Sequence, residues 1–201
     1  MPNSPHPLLH YRGLDLELKA TGYYDLFLQH GWKVQWIYRY GQTQRSHYHT
    51  AHECMVVLSG TATIRFGVAD TSSDMDDNTY GTAREQGGIE IEARKGDVFI
   101  LPAGCAHKTF NAQPTTEFAL LTPGDGHHIA AAQEREALGD VKLSGFTMLG
   151  AYPESSSWDS LTGGERTIKE FEEVWSVPIP AMDPVLGSSK EGLVGHWMSN
   201  N

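Results

Sequence analysis

The sequence is poor in cysteine, in cations and in long apolar runs, and each shortage removes a class of protein. Two cysteines among 201 residues, Cys54 and Cys105, make no disulfide framework, and neither belongs to a CxxC pair. Each reads as a small buried apolar residue and not as a reactive thiol. Lys and Arg number 15 against 25 Asp and Glu, a formal charge of -10 with no basic run, which excludes nucleic acid as a partner. No stretch approaches the length of a membrane span, and the opening MPNSPHPLLHYRG holds no apolar run of secretory length. The expectation is a cytoplasmic protein without a membrane partner.

What is present suits one well-packed domain: 39% apolar residues, 20% charged, and 21 Gly and 10 Pro scattered as an all-β fold with many turns requires. The dominant period is two. In residues 34–40, Val34, Trp36, Tyr38 and Tyr40 fall on one face, with Gln35 and Arg39 on the other. Residues 53–58 are almost continuously apolar and end at Ser59-Gly60. Residues 61–66 then alternate, and the two runs read as a hairpin. Residues 67–88 are polar and without period, a long loop whose four aspartates read as solvated. Strand character returns at 89–93, 98–101, 106–110, 118–122 and 146–152.

Helical spacing is confined to residues 15–28, 128–138 and 164–175, the last with Ile168, Phe171 and Trp175 on one face. The predicted fold is all-β: a single jelly-roll barrel over residues 31–153. Residues 1–30 form an irregular segment packed on it. Residues 154–201 add a helix and an extended, Pro-rich C-terminal arm to the same domain.

Two segments carry chemistry. In Gly41-QTQRS-His47-Tyr-His49-TAH-Glu53-CMVVLS-Gly60, His47 and His49 share a side of an extended strand, and Glu53 keeps that parity if the strand continues. In Gly96-DVFIL-Pro102-Ala-Gly104-CA-His107-KTF-Asn111, the Pro-Ala-Gly turn reverses the chain, so His107 opens the next strand. Three imidazoles and one carboxylate suit one divalent transition metal (Fe, Mn, Ni, Zn or Cu) with positions left open for water or substrate. Three His and one Glu aimed at one point are costly to bury without a cation. Trp36, Tyr38 and Tyr40 are the candidate walls of the pocket.

At these positions the chain resembles the cupins. His-x-His-x3-Glu-x6-Gly followed by Gly-x5-Pro-x-Gly-x2-His-x3-Asn matches both cupin signatures. The resemblance implies a small jelly-roll barrel with the metal inside. A narrower likeness is to the YjlB-like cupins. It rests on His47-Tyr-His49 with Ala51-His52-Glu53, on Gly150-Ala-Tyr152-Pro153, and on the tail Val177-Pro-Ile-Pro180 with Asp183-Pro-Val-Leu-Gly187. The interval from His49 to Glu53 is one residue shorter than in that pattern, and the 67–88 segment is longer. If the strand bulges there, Glu53 stands behind the bound set as a base or orienter, and His52, on the opposite parity, turns inward. Otherwise His52 is structural. Cupins often dimerise by strand or arm exchange, so the resemblance also implies a homodimer.

Function follows as an expectation of class only: a metal-dependent enzyme on a small-molecule substrate, with Glu53 as the catalytic base. Fe(II) suits a dioxygenase; Mn, Ni or Zn suits isomerisation, decarboxylation or hydrolysis. The alternative is a non-catalytic cupin that binds metal or ligand in a stress or storage role. His127 and His128 read as a solvated loop. Tyr152 and Asp183 read as packing of the arm across the barrel.

Overall fold

A computed structural model describes residues 1–14, 19–164 and 168–198. Its strands are β1 (Leu9–Tyr11), β2 (Trp32–Tyr40), β3 (Glu53–Ser59), β4 (Thr61–Phe66), β5 (Ile89–Arg94), β6 (Val98–Leu101), β7 (His107–Gln113), β8 (Ala119–Leu120) and β9 (Phe146–Pro153). The helices are α1 (Ala20–Gln29), α2 (Met75–Tyr80), α3 (Glu134–Gly139), α4 (Ile168–Trp175) and α5 (Leu193–Trp197). The strands make an antiparallel sheet in the order β1-β6-β3-β9-β2-β8 and a smaller one in the order β5-β4-β7.

The two sheets enclose a common interior of Trp36, Met55, Val57, Ile64, Phe66, Phe99, Phe146, Met148 and their neighbours. That is the jelly-roll barrel the strand pattern predicts. The larger sheet is also covered outside, where Phe27, Val56, Ile100, Leu138, Leu149, Leu193 and Trp197 pack as a second core. A sheet buried on both faces needs apolar side chains at every position, which is why 54–58 shows no alternation.

Several expectations need correction. Residues 53–58 and 61–66 are not a hairpin: β3 pairs with β6 and β9, whereas β4 pairs with β5 and β7. The turn at Gly60 carries the chain from one sheet to the other. In β2, Val34 lies opposite Ala151 while Trp36 lies opposite Gly150, so Gln35 is an extra residue in a bulge. Val34 therefore joins the outer core, and Trp36 the interior. Gly150 makes this possible, because a Cβ there would lie 2.1 Å from the Trp36 indole.

The 67–88 segment contains α2, capped by Asp74, whose carboxylate accepts from the Asp76 and Asp77 amides. Arg65 holds its far end, donating to the carbonyls of Asn78 and Thr79. Asp70 is not solvated but paired with the buried Lys108 at 3.0 Å. Residues 1–30 supply β1 and α1, so they are more than an irregular segment; residues 15–18 of the predicted helix lie outside those described. In 128–138 only 134–138 are helical, continuing to Gly139, and residues 165–167 of the third predicted helix are also outside.

The tail after Pro178 folds around Asp183. Its fully buried carboxylate accepts from the amides of Val185, Leu186 and Leu193 and from the Tyr11 hydroxyl at 2.6–2.9 Å. Asp183 thus fastens the arm to β1, in line with the packing reading. Asp183→Ala strands these donors and should cost about 3–5 kcal/mol. Thermal melts should show a fall of roughly 10 °C or more; an unchanged melting temperature would show that the arm is held by apolar contacts alone.

Candidate metal centre

His47 and His49 do not lie on a strand that runs on to Glu53. The His47 amide donates to the His107 carbonyl and the His107 amide donates back, at 3.1 and 2.8 Å, so this stretch pairs with the start of β7. The chain then bends at Thr50–Ala51 and enters the opposite sheet at Glu53, which faces Leu101. Glu53 thus approaches the histidines from across the barrel and needs no shared strand parity. His107 is set by the turn before it, where Gly104 takes φ 86° and a Cβ would collide with the Asn3 carbonyl at 2.4 Å. Asn111, the last motif position, takes φ 54° where β7 bulges against β4.

One ring nitrogen from each of His47, His49 and His107 lies within 4.8 Å of those of the other two. The opposite nitrogen of each ring is already engaged. Nδ1 of His47 donates to the Arg45 carbonyl at 2.9 Å, Nδ1 of His107 to the Cys105 carbonyl at 3.3 Å, and Nδ1 of His49 to the Asp159 carbonyl. A carbonyl can only accept, so each neutral ring carries its proton on Nδ1 and turns an Nε2 lone pair inward.

Burial is the first cause that keeps these rings unprotonated. It lowers the His47 pKa, takes that of His49 down to about 3 with His47 adding repulsion, and lowers that of His107 far below its usual range. Glu53 completes the group. Its Oε2 lies 3.7 Å from His49 Nε2 and 3.6 Å from His107 Nε2, beyond hydrogen-bond length, and is buried without a hydrogen-bond partner. Its Oε1 accepts a short hydrogen bond from Tyr152, whose oxygen accepts from Trp36 Nε1 at 3.2 Å. Burial pushes the Glu53 carboxyl up to about 7 against the pull of that hydrogen bond. Three lone pairs and an orphaned carboxylate oxygen facing one another repel unless a cation lies between them. This donor set fits a divalent transition metal.

Trp36 touches the site through Tyr152. Tyr38 and Tyr40 pack at the edge of the inner core against Phe118, with ring centres 5.2 and 5.8 Å away. Tyr152, read from the sequence as arm packing, is in the site instead. The Gly150-Ala-Tyr152-Pro153 pattern marks it, but no spacing ties it to its partner Glu53, 99 residues away. His52 points away from the histidine group: its Nδ1 accepts from the Ala103 amide and its ring packs on Trp197. His127 is exposed and stacks on Trp158 at 4.3 Å, with Nδ1 on the Ser157 hydroxyl. Trp158 and Asp159, which reach His49, were invisible to sequence reasoning.

The family model that describes the cupins matches residues 38–140, a span containing all four residues of the group. The uncharacterized protein YjlB of Bacillus subtilis (strain 168) is 26% identical over 205 residues, covering 98% of this chain and 90% of that protein. Solved structures overlap more loosely. Acireductone dioxygenase from Bacillus anthracis, with a cadmium ion in its active centre, gives a TM-score of 0.25 at 18% identity over 59% of this chain and 43% of its own. The 11S allergen of Cocos nucifera gives 0.32 at 10% identity, over 69% and 30%. The chain spans less than half of either protein's length, and overlap at this level says nothing about chemistry.

Proposed function

The chain belongs to the cupin family, and we propose that within it this protein is a metal-dependent enzyme acting on a small organic molecule. The ion would be held by His47, His49 and His107, with Glu53 as the fourth ligand. The observation that carries this is the pairing of three outward Nδ1–H groups, each spent on a carbonyl, with three inward lone pairs beside an unpartnered carboxylate oxygen. A divalent ion there supplies Lewis-acid stabilisation of developing negative charge or, if it is iron, access to dioxygen chemistry.

The chain's own residues do the rest. Tyr152 and Trp36 fix Glu53 Oε1, so that only Oε2 is free to meet the ion or to take a proton from substrate. Trp36, Tyr38 and Tyr40 form an apolar wall that limits water at the reacting atoms. The fourth-ligand and proton-acceptor roles compete for one oxygen, so Glu53 Oε2 would serve as base only while it is not holding an ion.

We favour oxygen-dependent cleavage of a ring or carbon–carbon bond as the reaction. The test is metal analysis of protein purified without added metal, then oxygen uptake with catechol-like, diketone and hydroxy-acid substrates. The expected result is one iron per chain with substrate-dependent oxygen consumption. Zinc or nickel without oxygen uptake would reject the dioxygenase reading in favour of isomerase, lyase or hydrolytic chemistry. Absence of stoichiometric metal would reject the metal-dependent enzyme itself.

A further inference from the structure

The three ligand histidines are not held alike. His47 and His107 each donate Nδ1 to the carbonyl two residues earlier in their own segments, Arg45 and Cys105. These partners come with the local chain. His49 has no such neighbour. Its Nδ1 donates to the carbonyl of Asp159, 110 residues away and outside the segment that the family model matches. The His49 side chain also stands where strand pairing lapses, just before the bend at Thr50–Ala51. Without a remote acceptor, its ring could turn about its own axis and offer the wrong nitrogen.

The segment that supplies this acceptor is anchored on both sides. The Asp159 carboxylate accepts from the Thr50 amide and the Thr50 hydroxyl, both at 2.7 Å. Two residues further on, Leu161 bridges Tyr48 with amide–carbonyl bonds in both directions, at 2.8 and 3.1 Å. At the other end, Gln35 donates to the Ser156 carbonyl and accepts from the Ser157 hydroxyl, both at 2.8 Å. Gln35 is the extra residue of the β2 bulge and is only 3% exposed. The bulge thus has a use: it turns a buried amide toward this segment. Between the anchors, Trp158 sets its ring 6.0 Å from His49 and donates Nε1 to the Gly126 carbonyl at 2.8 Å.

We propose that residues 156–159 form a strap that holds His49 in its ligand orientation, with Asp159 as the positioning residue. Its carboxylate grips Thr50, and that grip places its carbonyl on His49 Nδ1. The inference rests on the metal-binding reading of the histidine group. Outer partners of ligating histidines are typically worth 10–100-fold in metal affinity, and here that support reaches one ligand only.

The test is Zn(II) and Co(II) titration of chelator-treated full-length protein, with nitrogen hyperfine structure in the Cu(II) spin-resonance spectrum to count bound imidazoles. Asp159→Ala should weaken Zn(II) and Co(II) binding by about tenfold or more and reduce the Cu(II) pattern from three nitrogens to two. Asp159→Asn keeps an acceptor for the Thr50 amide and an amide donor for the Thr50 hydroxyl, so it should stay within about threefold of wild type, well inside that range. Thr50→Val reaches the same grip from its other side and should fall between the two.

Wild-type affinity and three nitrogens in Asp159→Ala would overturn the proposal. So would equal losses in the Ala and Asn variants, because the effect would then be one of charge and not of orientation. A wild-type protein that takes up none of these metals would instead overturn the reading of the site itself.

Discussion

His107→Ala should leave the protein folded and nearly empty of metal. His107 is the proposed ligand that the Pro102–Gly104 turn delivers beside His47, and its Nε2 faces Glu53 Oε2 across the barrel and lies among the other two histidines. Removing it leaves two nitrogens and one carboxylate oxygen, with an open side where the ring had been. Outer partners of a ligand are already worth about 10–100-fold, so loss of a direct ligand should exceed roughly 100-fold in affinity. The measurement is metal content after dialysis against a weak chelator, with circular dichroism to show that the fold persists. The backbone pairing of residue 107 with His47 uses only amide and carbonyl groups, so the alanine retains it. Unchanged stoichiometry would mean that the ion, if any, is held elsewhere.

Glu53→Gln should have opposite effects on the metal-free and metal-loaded protein. In the metal-free chain, burial raises the carboxyl from an ordinary 4.5 to about 7. Below pH 4.5 it is neutral both folded and unfolded, and it carries no penalty. Between 4.5 and 7 the unfolded chain releases the proton while the folded chain keeps it, so stability falls as pH rises; above 7 the whole loss is present. That loss is worth roughly 3 kcal/mol. Glutamine never ionises and can still accept the Tyr152 hydrogen bond.

The metal-free variant should therefore melt higher than wild type at pH 8, by about 10 °C, and at nearly the same temperature at pH 4.5. Toward acid both proteins should weaken together. His49, held down to about 3, resists a proton that the unfolded chain accepts near 6.5, so stability is lost as pH falls across that interval. With metal present the order reverses, because an ionised carboxylate beside a cation is stabilising and a neutral amide is a poor ligand. Melts at the two pH values, with chelator and with Zn(II), give four comparisons. Equal melting temperatures at pH 8 in chelator would contradict the account of Glu53 as an uncompensated buried carboxyl.

Much of this centre was legible in the chain, and the reason is local. His47, His49 and His107 are placed by short segments whose glycines and proline permit few backbone paths, so spacing and the cupin resemblance together bring out the imidazoles. Two of the three also find their Nδ1 acceptors two residues away. The strands were legible for a similar reason, since a period of two survives wherever one face of a sheet is wet.

The misreadings occurred where a local rule was overridden from a distance. Residues 53–58 and 61–66 look like a hairpin because a tight turn joins them, but each has better partners in its own sheet. Val34 shares parity with Trp36 on paper, but the bulge at Gln35 sends it to the other core. Residues 67–88 lack period, yet Asp74 and Arg65 fix a short helix at its two ends.

By itself, then, the sequence determined the strand pattern of the barrel, which depends on alternation within a few residues, and its likeness to the cupin signatures joined His107 to His47 and His49. Only the tertiary structure decided how that group is held. Tyr152 on Glu53 and Asp159 on His49 join residues 99 and 110 positions apart. No periodicity spans such intervals, because contacts of that range exist only once two sheets have closed on a common core. The hydrogen bond on Glu53 and the acceptor on His49 are both products of that closure.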